Sequence, residues 1–234
     1  MNEIIENYID TSFGEYRQAE FKFAQFDFNY KSCFPEDKNA KLLDIGIGRG
    51  EMLTCMKNWG YTNYFGIDIS PSTVNFCKGL SLQCELVENT TAYLINKPNH
   101  FDLITLLDVL EHIPKSELIP FMKAVKKSLK KNGVLIIQVP NLQAPDGHLH
   151  MFNDLTHGTG FVEHSLTQLI IAAGFKEFYF QPFEEIIQKT FINFKRKIQR
   201  KVYWYLTKRL RWINTNLNPD ILTPVFSAII TNND

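Results

Sequence analysis

The sequence lacks long apolar runs: no stretch approaches the roughly 20 residues that a helix needs to cross a bilayer. The N-terminus, Met1-Asn2-Glu3-Ile4, also lacks the basic and then apolar pattern of a secretory signal peptide. A cytoplasmic location is therefore the default expectation. The chain has 234 residues, of which 44% are hydrophobic and 21% charged, so it is long enough for one globular α/β domain with additional elements.

Cysteine is scarce, and its spacing carries no signature. The four cysteines, Cys33, Cys55, Cys77 and Cys84, form no C-x-x-C pair, and no cluster of cysteine and histidine has the spacing of a zinc site. We expect reduced thiols in the core or at the surface, and the sequence predicts no metal site. Whether a metal assists the chemistry of the protein stays open at this stage.

Acidic residues are absent between Ile186 and Pro219, although the formal net charge of the chain is zero. That stretch holds nine of the 25 basic residues. Apolar residues recur at steps of three or four over 190–213, which predicts an amphipathic helix with a basic side. Segment 189–212 is then a surface insertion, a contact with a membrane surface or lipid-linked anion, or a nucleic-acid contact. Nucleic acid is disfavoured because no RNA-binding module accompanies the segment.

Strands alternate with helices from Lys41 onward, and glycine or proline marks many of the boundaries. The predicted strands are 42–45, 64–68, 83–87, 101–107, 134–139 and 175–180, with a last strand over 221–230. The predicted helices are 51–59, a helix capped by Ser70, 116–130 and 165–173. This alternation predicts βαβ units in an α/β, Rossmann-like, mostly parallel sheet with helices on both faces.

The organisation follows from these elements. Residues 1–38 are rich in aromatic side chains and are expected to form an N-terminal helical cap, either as a cover of one sheet edge or as part of an active-site lid. Residues 39–182 form the predicted core, with a long loop at 141–164 over the crevice. The basic helical insertion occupies 183–218, and 219–234 supplies the final strand of the core.

The most informative motif is LDIGIGRG at 43–50, a glycine-rich turn between a strand and a helix. Its glycines are spaced G-x-G-x-G, whereas a dinucleotide-binding turn usually has G-x-G-x-x-G. Asp44 precedes the glycines, and an acidic residue at this point is poorly suited to a pyrophosphate, which prefers a bare helix N-terminus. The turn instead suits a ligand that carries an ammonium group.

Polar residues follow three further strands. Asp68, with Ile69 beside it, ends the second strand, where a carboxylate can accept hydrogen bonds from ribose hydroxyls. Glu88 and Asn89 follow the third strand and can meet an adenine amino group, and Asp108 follows the fourth. Because ligands bind outside the carboxyl ends of the strands in such sheets, we expect all these residues to meet at one crevice.

In this order and spacing, the motifs over 41–180 resemble those of class I S-adenosylmethionine-dependent methyltransferases. LLDIGIGRG resembles the glycine motif of that family, GIDIS its ribose-binding motif, FDLITLLDVLEHI its fourth-strand motif and LKKNGVLIIQVPN the segment around its fifth strand. The resemblance implies a seven-stranded sheet whose last strand is antiparallel and lies beside the fifth. It implies S-adenosylmethionine as the cofactor, with its methionine part at Asp44, Gly46, Gly48 and the Gly50 turn, its ribose at Asp68, and its adenine at Glu88 or Asn89.

Methyl transfer to a hydroxyl needs alignment of the acceptor and a base near its proton. His112 is one candidate for this base. The alternative is that His112 has a structural role and forms a hydrogen bond with the backbone beneath the cofactor. Asp154 and His157, in the long loop, can form a carboxylate–imidazole pair that orients a base. The alternative is that Asp154-x-x-His157 is a turn held by its own hydrogen bonds.

The long loop and the helix after it, NDLTHGTGFVEHSLTQLIIAAGF, resemble bacterial methyltransferases encoded among genes for surface polysaccharides, including O-antigen. This resemblance implies that the acceptor is a sugar hydroxyl of a nucleotide-linked or lipid-linked glycan. Other acceptors stay open: a quinone or lipid intermediate, and nucleic acid, for which the amino-methylating motif and a catalytic cysteine beside proline are missing. An NAD-dependent oxidoreductase, disfavoured by the glycine spacing, and a binding-only relative complete the alternatives.

Overall fold

The computed structural model describes residues 2–9, 19–185, 191–215 and 219–233. Its strands are β1 Leu42–Ile45, β2 Tyr64–Asp68, β3 Cys84–Leu86, β4 Phe101–Leu107, β5 Leu129–Pro140, β6 Glu177–Pro182 and β7 Val225–Thr231. They form one seven-stranded sheet in the order β3-β2-β1-β4-β5-β7-β6. β1 to β5 pair in parallel, and β7 runs antiparallel to both β5 and β6. The predicted Rossmann-like sheet, with its last strand antiparallel beside the fifth, is confirmed.

Nine helices are described in these ranges. They are α1 Asn2–Glu6, α2 Ala19–Tyr30, α3 Glu51–Asn58, α4 Pro71–Gly79, α5 Thr90–Ile95, α6 Leu118–Ser128, α7 Gly147–Phe152, α8 Glu163–Ala172 and α9 Phe191–Thr215. Short 3-10 helices occupy Lys31–Cys33 and Leu110–His112. Ser70 caps α4 as predicted: its hydroxyl accepts a hydrogen bond from the amide of Thr73, and Pro71 fills the first helical position.

The sheet is buried on both faces, as the near-continuous apolar strands predict. Successive residues of β4 point to opposite faces, and Leu103 and Ile104 are both completely buried. Ile104 belongs to a core with α6 and α8, whereas Leu103 belongs to a second core with Phe26 and Tyr30 of α2 and with α3 and α4. The two cores fix the strand ends that carry the candidate site.

β5 begins five residues earlier than the sequence predicts, and α6 ends earlier, at Ser128. Leu129 already pairs with Phe101, and the register shifts before Val134 joins Leu103. The shift contains a bulge in which Asn132 has a positive φ of 61°. Residues 129 and 130, which the sequence pattern assigns to the helix, therefore belong to β5, because Leu129 pairs with β4. The local pattern does not reveal this pairing.

The basic segment forms the predicted helix, α9, but none of its residues is buried. Two contacts link it to described residues outside the helix: an ion pair of Arg200 with Glu185 at 3.2 Å and a hydrogen bond from Lys208 Nζ to the carbonyl oxygen of Asp220 at 3.3 Å. Parts of the predicted cap and insertion, at 10–18, 186–190 and 216–218, lie outside the described residues. Within the described ranges no helix combines the length and apolarity needed to cross a membrane.

Candidate functional site

A cavity of about 640 Å³ lies at the carboxyl ends of β1, β2 and β4. Its walls include six of the residues predicted to bind the cofactor: Asp44, Gly46, Gly48, Asp68, Ile69 and Asp108. Tyr8, which follows α1, and Lys22 and Phe26 of α2 also line the cavity. His112 and His157 line the same cavity. The strand ends and the long loop therefore meet at one site.

The glycine turn after β1 leaves no room for a side chain at Gly46. Gly46 has a φ of +76°, and a Cβ there would lie 2.5 Å from Cγ2 of Val109. Gly48 also has a positive φ, of 50°. The turn thus exposes backbone to the cavity, which a bound ligand can approach closely. Gly50 has another role, because it precedes α3 and packs against Leu82, away from the cavity wall.

Asp44 is almost completely buried beneath this turn, with 2% of its surface exposed. Burial is the main reason why the pKa of Asp44 is raised to about 7. A hydrogen bond from the Thr105 hydroxyl at 2.6 Å lowers this pKa, whereas the charges of Asp68 and Glu51 raise it. A buried carboxylate facing a cavity is stabilised by a cation. The site therefore fits a ligand with an ammonium group.

Asp68 ends β2 at the neighbouring strand tip. Its Oδ1 accepts a hydrogen bond from the amide of Ser70 at 2.8 Å, which fixes the carboxylate at the rim of the cavity. Burial raises its pKa to about 6, while amides of Ser70 and of the glycine turn lower it. A carboxylate in this position has acceptor capacity left for the two hydroxyls of a ribose.

Glu88 and Asn89 do not line the cavity. Asn89 caps α5: its side-chain oxygen accepts a hydrogen bond from the amide of Ala92 at 2.9 Å. Glu88 is exposed to solvent. The sequence did not predict α5 and therefore did not predict that Asn89 caps it. An adenine contact of Glu88 or Asn89 stays a prediction.

Asp108 is held at the tip of β4 with a positive φ of 56°. Its Oδ2 accepts a hydrogen bond from Gln138 Nε2 at 2.7 Å, and the Gln138 oxygen in turn accepts one from the buried hydroxyl of Tyr30. This chain ties α2 to the site. Asp108 is exposed to the cavity, and desolvation by the surrounding protein raises the pKa of its carboxyl group.

His112 is fixed in one tautomer. The Thr156 hydroxyl donates its proton to Asp154 Oδ1 at 2.6 Å, so it accepts a hydrogen bond from His112 Nδ1 at 2.7 Å. Nε2 of His112 therefore carries a lone pair. Burial, and then the neighbouring His157, lower the pKa of His112 to about 4, so the ring is neutral at physiological pH.

The predicted pairing of Asp154 with His157 is wrong. Asp154 accepts hydrogen bonds from the Thr156 hydroxyl and, at 2.9 Å, from the hydroxyl of Tyr8. His157 Nδ1 donates instead to the carbonyl oxygen of His150 at 3.0 Å, which leaves Nε2 with a lone pair in the neutral ring. The tight turn brings the amide of His157, rather than its imidazole, to Asp154. Asp154 thus supports His112 through Thr156.

Glu111 is a site residue that the sequence reasoning missed. It lines the cavity but only 1% of its surface is exposed, and neither carboxylate oxygen has a hydrogen-bond partner among the described residues. Burial, and then the charge of Asp108, raise its pKa well above the ordinary value. Its position between the apolar Leu110 and His112 in the fourth-strand motif was the available signal, because a charged residue is rarely buried without a partner.

A family model described as a methyltransferase domain matches residues 15–177, more than half of the chain. The chain belongs to the class I S-adenosylmethionine-dependent methyltransferases. A structure of an S-adenosylmethionine-dependent methyltransferase from Archaeoglobus fulgidus matches with a TM-score of 0.68 over 93% of this chain and 100% of that one. At 19% identity this likeness shows the fold. The methyltransferase therefore uses S-adenosylmethionine, which the carboxylates and the glycine turn of the cavity fit.

Two curated relatives are named ubiquinone biosynthesis O-methyltransferase. The protein from Bartonella tribocorum is 32% identical over 121 residues, which are 50% of this chain and 47% of the relative. The protein from Pelagibacter ubique is 30% identical over 118 residues, 49% of this chain and 48% of the relative. The chain thus spans about half the length of the curated relatives that it matches.

Proposed function

We propose that this methyltransferase transfers the methyl group to a hydroxyl oxygen of a small-molecule acceptor held beside His112 and His157. The observation that carries the proposal is the pair of imidazoles on the cavity wall, each with Nδ1 engaged and Nε2 left with a lone pair. The names of the two curated relatives, both O-methyltransferases, support the same reaction.

The bound cofactor supplies a methyl group activated as a sulfonium. Asp44 would pair with its ammonium group, Asp68 would accept hydrogen bonds from its ribose, and the Gly46–Gly48 backbone would hold its methionine part. Apolar side chains of the cavity, among them Phe26 and Val109, exclude water from the reacting atoms.

With the cofactor bound, the acceptor oxygen would form a bond to the methyl carbon while the carbon–sulfur bond breaks. The proton of the hydroxyl then has to leave the oxygen. His157 Nε2 takes that proton as a general base, because its ring is held by the carbonyl oxygen of His150 while Nε2 stays available. The pKa of His112 is lowered by burial, so this residue contributes its lone pair to positioning.

Two acceptor classes have support. The names of the curated relatives and the apolar part of the cavity wall favour a ring hydroxyl of a quinone-type lipid intermediate. Polar groups at the same cavity, from His150, Asn153 and Thr156, favour the second candidate, a sugar hydroxyl of a nucleotide-linked or lipid-linked glycan. Both classes include lipid-linked molecules, so a membrane-associated acceptor is compatible with either.

Helix α9 supports delivery of the acceptor from a membrane surface. Phe191, Trp212 and Ile213 are exposed by 82%, 53% and 65%, and large apolar side chains continue along the same side of the helix. Lys197, Arg200, Lys201, Lys208 and Arg211 are concentrated on the other side. A helix that combines apolar, aromatic and basic surface is suited to the interface of an anionic bilayer. We infer that α9 lies on such a surface.

Methyl transfer from labelled S-adenosylmethionine tests the function. The acceptors are a hydroxylated quinone precursor in anionic vesicles, nucleotide sugars, lipid-linked glycans and RNA. We expect label on a hydroxyl oxygen of the quinone precursor or, for the second candidate, of a glycan. Label on nitrogen or carbon, or on RNA alone, would contradict the proposal. His157→Ala is expected to lower turnover while the affinity for S-adenosylhomocysteine stays unchanged.

A further inference from the structure

Glu111, His112 and His157 converge on the acceptor end of the cavity. Each residue offers one ligand atom, and the three atoms lie within 4.8 Å of one another. The rings of the two histidines are in edge contact, with centroids 4.7 Å apart. Glu111 comes from the 3-10 helix after β4, and His157 from the loop after β5, which the Glu111 carbonyl oxygen ties down by accepting hydrogen bonds from the amides of Gly158 and Thr159.

The carboxylate of Glu111 has no compensation in the described structure. Both its oxygens are buried without a hydrogen-bond partner, whereas a buried carboxylate that lacks a partner costs several kcal/mol. A cation between Glu111 and the imidazoles would satisfy the carboxylate.

The histidines have the hydrogen bonds of metal ligands. A ligating imidazole commonly donates its second ring N–H to a carbonyl oxygen, a carboxylate or a hydroxyl, which fixes the tautomer and the ring orientation. His157 donates Nδ1–H to the carbonyl oxygen of His150, and His112 donates to Thr156, which is backed by Asp154. Both rings therefore hold Nε2 ready as a lone-pair donor.

We propose that Glu111, His112 and His157 bind one divalent transition-metal ion through a carboxylate oxygen and two Nε2 atoms. Two imidazoles and one carboxylate favour ions such as Zn²⁺, Mn²⁺ or Fe²⁺ over Ca²⁺ and Mg²⁺, which prefer oxygen ligands. Three protein ligands leave at least one coordination position for another group. All three residues line the cavity, so that position is open to the acceptor.

The role of the ion rests on the proposed function. An acceptor hydroxyl bound to the ion has a lowered pKa, so its oxygen becomes a better nucleophile towards the methyl carbon. With the ion bound, His157 is a ligand, and the hydroxyl proton leaves to solvent or to a neighbouring carboxylate such as Asp108, which lines the same cavity. Direct general-base catalysis by His157 then belongs to the metal-free enzyme alone, because an Nε2 atom that binds the ion has no lone pair left for the proton.

The sequence could not reveal these ligands. Glu111 and His112 are adjacent, and His157 follows after more than forty residues, which matches none of the usual spacing signatures of metal sites. Only the return of the loop, which places the Phe161 backbone beside Asn141 after β5, brings His157 to the other two residues.

Calorimetry on the full chain tests the site without acceptor or cofactor. The protein is first freed of metal with a chelator and then titrated with Zn²⁺ and with Mn²⁺. We expect one ion per chain, and at least tenfold weaker binding in Glu111→Gln and His157→Asn. Thr156→Val, which removes the support of His112, is expected to weaken binding 10-fold to 100-fold. His164→Asn changes an exposed histidine outside the cavity and should bind as the wild type does.

Absence of binding in the wild type would overturn the proposal, as would equal binding in Glu111→Gln or an equal loss in His164→Asn. Circular dichroism shows whether each variant is folded, and Thr156→Val, which keeps all three ligands, provides a milder change if Glu111→Gln does not fold. The substitution of Co²⁺ gives a visible spectrum that reports the ligand set independently of activity. Metal binding without O-methyl transfer would contradict the proposed function alone, whereas full turnover by metal-free enzyme would contradict the role of the metal alone.

Discussion

Thr156 connects His112 to Asp154: its hydroxyl accepts a hydrogen bond from His112 Nδ1 at 2.7 Å and donates one to Asp154 Oδ1 at 2.6 Å. The proton on Nδ1 is thereby fixed, and Nε2 is left with a lone pair. The Tyr8 hydroxyl donates a further hydrogen bond to the same aspartate, at Oδ2. Tyr8, shortly after α1, and the loop after β5 thus determine the state of a histidine next to β4.

Thr156→Val should lower turnover roughly tenfold or more, because a lost hydrogen bond to a polar or charged group costs about 1–3 kcal/mol. The affinity for S-adenosylhomocysteine should stay unchanged. Steady-state kinetics and calorimetry check both values. Thr159→Val is the matched control: the Thr159 hydroxyl is also buried but has no hydrogen-bond partner among the described residues. An equal loss in both variants would assign the effect to packing of the loop.

Asp68→Ala should weaken binding of S-adenosylhomocysteine about 100-fold, because two hydrogen bonds between a carboxylate and the ribose hydroxyls are lost, at about 1.5 kcal/mol each. Isothermal titration calorimetry measures this difference. Glu177→Ala removes an exposed carboxylate at the start of β6, outside the cavity, and is expected to bind normally. Unchanged affinity in Asp68→Ala would contradict the assignment of the ribose to the Asp68 carboxylate.

Gly46→Ala should abolish measurable cofactor binding and reduce the free energy of unfolding by a few kcal/mol, on the order expected for backbone strain plus overpacking. The new methyl group would lie 2.5 Å from Val109 at a φ of +76°. Urea denaturation separates the two contributions. Gly60 has a φ of +86°, but no atom lies within 4 Å of a Cβ placed there, so Gly60→Ala introduces backbone strain without overpacking. Gly79→Ala introduces neither strain nor overpacking. The same loss in Gly46→Ala and Gly60→Ala would exclude the contact with Val109.

The stability of the cofactor-free protein should fall as pH rises from about 4 to 7. Burial raises the pKa of Asp44 to about 7, above the value of about 3.9 in an unfolded chain. Between these values the folded state holds a proton that the unfolded state has lost, so folding is favoured at low pH and loses up to about 4 kcal/mol as Asp44 ionises.

Urea denaturation at pH 5 and pH 8 measures this difference. The free energy of unfolding of Asp44→Asn should decrease less over this range. Part of the decrease remains in both proteins, because burial also raises the pKa of Asp68. A wild-type stability that increases over this range would contradict the assignment. Binding of a cationic cofactor should reduce the decrease, because the ammonium group stabilises the ionised carboxylate.

Replacement of Arg196, Lys197 and Lys201 by Gln should lower binding to anionic vesicles about 100-fold, since each basic residue near the surface contributes about 1 kcal/mol. Vesicle sedimentation measures the partitioning. Lys57, Lys78 and Lys123 are equally exposed lysines elsewhere, and their triple replacement by Gln is the matched control. Equal losses in the two triple variants would indicate a nonspecific charge effect, and no vesicle binding by the wild type would contradict membrane contact.

The sequence predicts well that the strand-end carboxylates meet at one cavity. Apolar strands fix the sheet, and a carboxylate that directly follows a strand has to lie at its carboxyl end, so Asp44, Asp68 and Asp108 could be placed together before the structure was available. Asn89 shows the limit of the same rule. It follows β3, but a short helix begins there, and capping of that helix occupies its side chain.

The acceptor half could not be predicted, because it depends on how the segment after β5 folds. Asp154 and His157 are close in sequence, and the pattern left open a contact between their side chains or a turn held by its own hydrogen bonds. In the structure, the Asp154 carboxylate accepts a hydrogen bond from the Thr156 hydroxyl, and the His157 imidazole donates one to the carbonyl oxygen of His150. Competition among polar groups of a loop is decided by tertiary contacts, which local spacing does not encode.

A crystal structure with S-adenosylhomocysteine tests the central claim most directly. We predict that its ribose hydroxyls contact Asp68, that its amino group lies by Asp44 beneath the glycine turn, and that its sulfur faces the side of the cavity formed by His112 and His157. A ribose bound away from Asp68, or a sulfur directed away from both histidines, would contradict the account.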